Sequence, residues 1–174
     1  MKFMEIVKNK KIVSFASLCF FLFFFRYLPH PPNFTPVIAF GIYLPVIFGI
    51  WSIPFFILSF AITDFFVGFH SLMIWTWGSL VIISLFFKLS YDAFSRVSLS
   101  LFGACLFFIF TNFGVWLGSS YYEANIQGLF SCYIMAIPFF TNTLISTIIF
   151  SLLFEILFKY RIFFQPYKLS ESKL

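Results

Sequence analysis

Apolar segments of near-membrane length recur along the whole chain and constrain its fold more than any other feature. A transmembrane helix needs about 20 predominantly apolar residues, and six segments approach or exceed this length. They cover residues 12–28, 35–50, 53–69, 71–87, 97–117 and 132–158. We therefore expect an all-α membrane protein, a bundle of about six transmembrane helices that forms a single domain over residues 1–174.

The composition also favours a surface that faces lipid. Hydrophobic residues make up 61% of the chain and charged residues only 10%, whereas soluble domains have roughly 25% charged residues. So few charges could not cover the surface of a water-soluble protein, and the surplus apolar surface is expected to face a bilayer. The cysteines at positions 19, 105 and 132 lack metal-ligand spacing, and we interpret them as small buried apolar side chains.

Two pairs of segments are joined by very short links, which leaves a four-helix alternative in which each pair merges. Pro54 lies at the first of these links and Gly68 at the second. Because Pro and Gly interrupt long helices, we favour six helices. The lysines near the N-terminus are also compatible with a signal peptide. No small-x-small cleavage pattern follows them, and we interpret the first segment as an uncleaved helix.

The basic residues favour one orientation in the membrane. With the N-terminus in the cytoplasm, six helices place ten of the eleven lysines and arginines on the cytoplasmic side and leave only Arg26 outside. The positive-inside rule therefore predicts a multi-pass protein of the bacterial inner membrane with both termini cytoplasmic. The same rule explains the net charge of +5 without nucleic acid. Arg96 is assigned to a cytoplasmic loop, and Glu155 is expected to pair with Lys159 four residues later and to tolerate glutamine.

Polar side chains concentrate in the predicted outer half of the bundle. Asp64 lies well inside an apolar segment, and ionisable groups within a bilayer are costly and are functional candidates. It lines a solute cavity, or it is a structural partner of Arg26, or both. Asn112 also needs hydrogen-bond partners within a span. We predict a substrate-binding cluster made of Asp64, Arg26, Asn112, His70, Trp75, Trp77, Trp116 and Asn142.

Residues 29–36, Pro-His-Pro-Pro-Asn-Phe-Thr-Pro, cannot form a regular helix throughout. We predict an ordered outer loop, either a plain connector or a lid over the polar cluster. The tryptophans are also compatible with an aromatic belt at the membrane interface, and Arg26 with a side chain that reaches the headgroups. A metal site of His30, His70 and Asp64 is a less favoured alternative, and we predict neither a metal nor a cofactor.

Motifs for catalysis and for nucleotide hydrolysis are absent from the sequence. It has no P-loop, so transport energised by an ATPase domain of this chain is excluded. A single deep aspartate cannot form an aspartyl dyad, and no nucleophile lies at the same predicted depth as a clear base. We therefore expect that the chain is not an enzyme, and an intramembrane enzyme is the least favoured class.

Four stretches of the sequence resemble a known bacterial family. They are residues 26–36, 64–70, 111–116 and 128–142, the last with its Ala-Ile-Pro-Phe-Phe-Thr-Asn sequence. They resemble a domain-of-unknown-function family of proposed transport proteins, which is itself similar to the substrate-binding S components of energy-coupling factor (ECF) vitamin transporters.

This resemblance implies six helices with both ends cytoplasmic and a solute site that opens outward. It also implies uptake of a small molecule or vitamin-like compound, with a separate coupling subunit and ATPases as partners. The alternative is a non-transporting membrane scaffold of the cell-shape MreD type, which is also small and polytopic. A scaffold has no need for a polar cluster confined to one half of the membrane, which favours the solute-binding hypothesis.

Overall fold

The computed structural model describes residues 2–69 and 71–160, without the side chains of residues 2–11. Within these ranges the chain forms six α-helices and one short 3-10 helix, with no strand. The elements are α1 (Lys2–Tyr27), α2 (Val37–Phe48), α3 (Ser52–Val67), α4 (Met73–Leu85), the 3-10 helix η1 (Phe86–Leu89), α5 (Ala93–Gly118) and α6 (Ile126–Lys159). The prediction of an all-α fold with six helices is confirmed, and the four-helix alternative is wrong.

Glycines end two of the helices at the predicted links. Gly49 follows α2 with φ 84°, and Gly68 follows α3 with φ 118°. These backbone conformations are common only for glycine, because other residues would bring their Cβ too close to the backbone. Pro54 lies in the first turn of α3, where a missing N–H costs no helical hydrogen bond. Gly68 therefore separates α3 from α4 as the sequence predicts, whereas at the first link Gly49 ends α2 and the predicted Pro54 lies inside α3.

Side-chain caps start the last two helices earlier than predicted. At α5, the backbone N–H of Ser95 donates to Asp92 Oδ1 at 2.7 Å, and the backbone N–H of Asp92 donates to Ser95 Oγ at 2.9 Å. This capping box starts α5 at Ala93 rather than at residue 97. The hydrogen bond from the Ser95 backbone also lowers the pKa of the Asp92 carboxyl. At α6, Asn125 Oδ1 accepts from the Gly128 N–H at 2.8 Å, and the helix begins at residue 126 rather than 132.

α2 lies at the centre of the bundle. It packs against each of the other five α-helices, and every residue from Val37 to Ile47 is buried. Around it, α1, α3, α4, α5 and α6 form a ring in this order, and each helix contacts the next. Among the residues that the structure describes, α1 and α6 make no backbone contact with each other, so the ring has one gap. Phe25 and Phe150 close this gap with ring centroids 5.2 Å apart.

The six helices alternate in direction along the chain. One end of the bundle therefore collects the C-termini of α1, α3 and α5 and the N-termini of α2, α4 and α6. We call it the cavity end and the opposite end the Glu155 end. Among the described residues, α5 and α6 are long and apolar enough to cross a membrane, each with a mean hydropathy of 1.8 in its most apolar window. The apolar parts of the other helices are shorter, among them Ile12–Tyr27 of α1, and the apolar helices together indicate membrane association.

The start of α6 gives a first prediction. A Cβ at Gly128 would overlap the backbone carbonyl of Glu123, and backbone atoms cannot move aside without distorting the loop before α6. We expect Gly128→Ala to lower the free energy of unfolding in detergent micelles by about 1–3 kcal/mol, the usual cost of overpacking. Denaturant titration followed by circular dichroism measures this change.

The matched control is Gly78→Ala in α4, where a Cβ would meet nothing within 4 Å. Because alanine favours helix more than glycine does, this variant should be neutral or more stable by up to about 1 kcal/mol. Equal destabilisation by the two variants would contradict the packing that we describe at Gly128.

Candidate functional site

An open cavity of about 380 Å³ lies at the cavity end of the bundle. Each of the six α-helices contributes to its wall. Five phenyl rings form much of the apolar lining: Phe60, Phe107, Phe108, Phe139 and Phe140. The polar lining consists of Arg26, His30, Asn33, Asn112 and the threonines at positions 35, 76, 111 and 143. Among the described residues of the wall, Arg26 carries the only permanent charge.

The cavity exists because the central helix is short. The 12 residues of α2 rise by about 18 Å, whereas the 26 residues of α5 and the 34 residues of α6 rise by about 39 and 51 Å. The space beyond the first residues of α2 is therefore enclosed by longer neighbours, and Val37 and Ile38 form its floor. Pro36 provides no side-chain cap for α2, so the first N–H groups of the helix give this floor a partial positive charge.

Arg26 is held in the cavity wall by contacts with α3. One guanidinium nitrogen donates to Asp64 Oδ1 at 2.7 Å. The other terminal nitrogen donates to Thr63 Oγ1 and to the carbonyl of Phe60, the latter at 3.3 Å. The guanidinium also lies over the Phe60 ring, 3.9 Å from its centroid, in a cation–π contact. These contacts fix the position of the positive charge and leave part of the side chain facing the cavity.

Asp64 lies behind Arg26 and does not line the cavity. Its side chain is 1% exposed, and its second oxygen accepts a hydrogen bond from Trp77 Nε1 at 2.7 Å. Both carboxylate oxygens are therefore engaged by protein donors. A buried carboxylate is costly unless it is paired and hydrogen-bonded, and Arg26 and Trp77 meet both conditions. The sequence anticipated the partnership with Arg26 as one of two interpretations, whereas nothing in the sequence indicated Trp77 as the second donor.

The other predicted site residues are divided between the cavity and its surroundings. Asn112 lines the wall, and its amide donates to the Phe108 carbonyl at 2.8 Å. Trp75, Trp77, Trp116 and Asn142 lie outside the wall. Trp75 packs against α5 at Phe113, with ring centroids 5.6 Å apart.

Trp116 and Asn142 donate hydrogen bonds to loop carbonyls at the cavity end. Trp116 Nε1 donates to the Glu123 carbonyl at 3.0 Å, and Asn142 Nδ2 donates to the Pro32 carbonyl at 2.9 Å. His70 lies outside the residues that the structure describes. Within the described part of the chain, no three His, Cys, Asp or Glu side chains lie close enough together to hold a metal ion.

The loop of residues 29–36 forms part of the cavity wall. His30, Asn33 and Thr35 contribute side chains to it. Asn33 adopts φ 63°, and the N–H groups of Phe34 and Thr35 donate to carbonyls of the loop itself, at 2.9 and 3.0 Å. Asparagine is one of the few non-glycine residues that tolerate this conformation. The loop is therefore ordered, as predicted, and it covers one side of the cavity.

A second charged cluster at the Glu155 end was missed by the sequence analysis. Arg96 donates to the Glu155 carboxylate through two nitrogens, each at 2.7 Å, and the Tyr43 hydroxyl donates to Glu155 Oε1 at 2.7 Å. The expected pair of Glu155 with Lys159 is wrong, and so is the placement of Arg96 in a loop. Because the capping box extends α5 back to Ala93, Arg96 lies inside the helix and is only 8% exposed.

Signals for this cluster were present in the sequence. An Asp-x-x-Ser pattern at residues 92–95 indicates a helix start before Arg96. The predicted topology also places Arg96 and Glu155 at the same end of the bundle, whereas Tyr43 lies in the middle of its predicted helix. Polar side chains therefore cluster at both ends of the bundle, and not only in the predicted outer half.

The burial of the Arg26–Asp64 pair gives a second prediction. Asp64→Asn leaves the Arg26 charge without its partner in a mostly buried position, and breaking a buried pair in this way costs about 3–5 kcal/mol. We expect a loss of this order in the free energy of unfolding in detergent, measured by denaturant titration. Combining Asp64→Asn with Arg26→Gln should recover part of the loss, because no charge then remains unpaired.

The control for this prediction is Glu123→Gln in the exposed loop before α6, which should change the free energy of unfolding by no more than about 0.5 kcal/mol. If Asp64→Asn is as stable as the wild-type protein, the ion pair does not hold α1 and α3 together.

Comparisons with known proteins identify the family alone. No curated protein and no solved structure matches the chain. The model of the family of unknown function DUF6580 matches residues 7–166. The predicted resemblance to a domain-of-unknown-function family is thereby confirmed, while the similarity to ECF S components stays a prediction. Because the match covers most of the sequence, the chain belongs to DUF6580, a family of unknown function.

Proposed function

We propose that the chain is a multi-pass protein of the bacterial inner membrane that binds a small solute in its cavity for uptake into the cell. The observation that carries this proposal is the open cavity of about 380 Å³, which all six α-helices line. Its volume lies within the range of about 300–1,000 Å³ that is typical of small-molecule sites. Its wall is mainly apolar with a few polar groups, which is also typical of such sites.

The surface of the bundle supports the membrane part of the proposal. Large apolar side chains of the ring helices are strongly exposed, among them Ile74 and Phe94, each at 81%. Soluble monomers rarely expose large contiguous apolar patches, and a surface of this kind is suited to lipid. α2 does not need to span the bilayer by itself, because protein surrounds it on every side. The positive-inside rule then assigns the cavity end to the outer face.

The wall of the cavity favours an amphipathic solute. Its phenyl rings suit an apolar or aromatic body. Arg26 and the uncapped start of α2 provide positive charge at the same site, and both favour an electron-rich group such as a carboxylate or a carbonyl. Asn112 and the threonine hydroxyls supply hydrogen bonds that would orient the solute. Vitamin-like carboxylic acids have this combination of groups.

The rival function is a membrane scaffold of the cell-shape type. A scaffold requires exposed surfaces for partner proteins, but it does not require an open cavity with a fixed guanidinium in its wall. The cavity therefore favours solute binding. For energy, the proposal includes a separate coupling subunit and ATPases, as in ECF transporters, because the chain has no P-loop of its own.

Filling the cavity tests this function. Ala136 lines the wall on α6, and Met135 beside it is 65% exposed on the outside of the bundle. We expect gently purified wild-type protein to retain a small molecule that native mass spectrometry detects. Ala136→Phe should reduce this retention by about tenfold or more, because steric overlap with a bound solute costs about 1–3 kcal/mol.

The matched control is Met135→Phe, which introduces the same ring on the lipid side and should retain the solute. Equal retention by Ala136→Phe and Met135→Phe would contradict binding in this cavity. Wild-type protein that carries no small molecule, even when it is purified from its native membrane, would favour the scaffold.

Reporter fusions test the proposed orientation. A reporter fused after Leu174 should be active only if it functions in the cytoplasm. One inserted beside Tyr121, which is 90% exposed in the loop before α6, should be active only if it functions in the periplasm. The physical reason is the ten-to-one distribution of basic residues between the two sides. A periplasmic C-terminus would rule out the six-span orientation and would place the cavity on the cytoplasmic side.

A further inference from the structure

Two fully buried hydroxyl groups on α6 have no hydrogen-bond partner among the described residues. They are Thr147 Oγ1 and Ser151 Oγ, on side chains that are 0% exposed. Other hydroxyls of the same helix donate to a carbonyl one turn earlier, as Thr143 does to Phe139 and Ser146 to Thr143, both at 3.0 Å. Thr147 and Ser151 do not donate to a carbonyl of their own helix in this way. Buried hydroxyls without partners are costly, and a small polar ligand such as water relieves this cost.

These hydroxyls belong to one ridge of α6. Thr143, Thr147, Ser151 and Glu155 follow one another at intervals of four residues, and side chains at this spacing form a continuous row on a helix. The row is about 18 Å long at 1.5 Å per residue. Thr143 lines the cavity, and Glu155 belongs to the cluster at the other end. The row therefore joins the cavity to the Glu155 cluster.

A second row of side chains, on α5, lies opposite the row on α6. Arg96 contacts Glu155 at one end of the row, and Phe108 stacks on Phe140 at the other, with ring centroids 4.5 Å apart. Between these contacts, the same face of α5 carries Ser100 and Ala104, which are fully buried. Because the two helices are antiparallel, these small side chains lie at the depths of Ser151 and Thr147. Serine and alanine occupy little volume at these depths, and a ligand between the two helices would therefore be no larger than water.

We propose that Thr147 and Ser151 bind a file of water molecules between α5 and α6, which connects the cavity to the Glu155 cluster. Water is the appropriate ligand because it both donates and accepts hydrogen bonds and fits beside small side chains. The ion pair of Arg96 with Glu155, together with Tyr43, closes this path at the Glu155 end by joining α2, α5 and α6. This inference rests on the proposed function for the role of the path in uptake. The water file itself requires no solute.

Reaction of cysteines with silver ion tests the water file. In a chain with Cys19, Cys105 and Cys132 replaced by alanine, Thr147→Cys and Ser151→Cys are each reconstituted in liposomes. The hydrated Ag⁺ ion passes through narrow water-filled paths and displaces the thiol proton into water to form an S–Ag bond. After unfolding in detergent, maleimide labels the thiols that did not react, and mass spectrometry counts them. The matched controls are Ile148→Cys and Leu152→Cys, whose side chains are 40% and 50% exposed on the outside of the bundle.

We expect silver to react with Thr147→Cys and Ser151→Cys at least about tenfold faster than with the two controls, because an ion does not readily enter hydrocarbon. Equal, slow reaction at all four positions would show a dry packing face and overturn the proposal.

A further variant removes one hydroxyl and keeps the shape of the row on α6. Thr147→Val added to Ser151→Cys should slow the reaction with silver if the hydroxyl of Thr147 binds the water file, and an unchanged rate would contradict this role.

The closure at the Glu155 end is tested in vesicles whose outer surface presents that end. Glu155→Gln should raise the rate at Ser151→Cys by about tenfold, because it removes charge-assisted hydrogen bonds from Arg96, and an unchanged rate would contradict the closure. Solute retention is measured on the same proteins. Fast silver reaction without any retained solute would reject the proposed function and keep the water file. Retained solute with slow silver reaction would keep the proposed function and reject the water file.

Discussion

The enclosure of a short apolar helix on every side is the constraint on which the rest of the structure depends. Because protein surrounds α2 completely, its residues show no alternation of apolar and polar faces and are buried from Val37 to Ile47. The neighbours of α2 are longer than α2 itself and extend beyond its N-terminus. The central helix does not fill the space between them there, and the cavity occupies that space.

Two buried ion pairs fix complementary sets of helices around α2. Arg26 and Asp64, with Trp77, join α1, α3 and α4. Arg96 and Glu155, with Tyr43, join α2, α5 and α6. A buried charge without its partner is strongly destabilising, so each pair requires one relative register of its three helices. Both groups of helices contribute to the cavity wall, and the hydroxyl row lies within the second group.

The sequence predicts the helices better than it predicts their contacts. Long apolar runs with Gly68 at a boundary are sufficient to predict six helices, and a lone acid in such a run is sufficient to propose a pair with Arg26. The partner of Glu155 could not be predicted from local spacing, since Lys159 satisfies the four-residue rule while Arg96 lies on another helix. Apolar periodicity does not specify which faces of two largely apolar helices meet. For the same reason the cavity threonines, which look like ordinary span residues, gave no signal.

The same ionic chemistry has different consequences at the two ends of the bundle. At the cavity end, both oxygens of Asp64 are engaged by Arg26 and Trp77, and the guanidinium remains in the cavity wall. In the proposed function, the guanidinium in this wall favours an electron-rich group on the solute and disfavours a cation. At the Glu155 end, two nitrogens of Arg96 bond both carboxylate oxygens. Both carboxylate oxygens of Glu155 are therefore hydrogen-bonded within the pair, which is suited to hold helices together rather than to bind a solute.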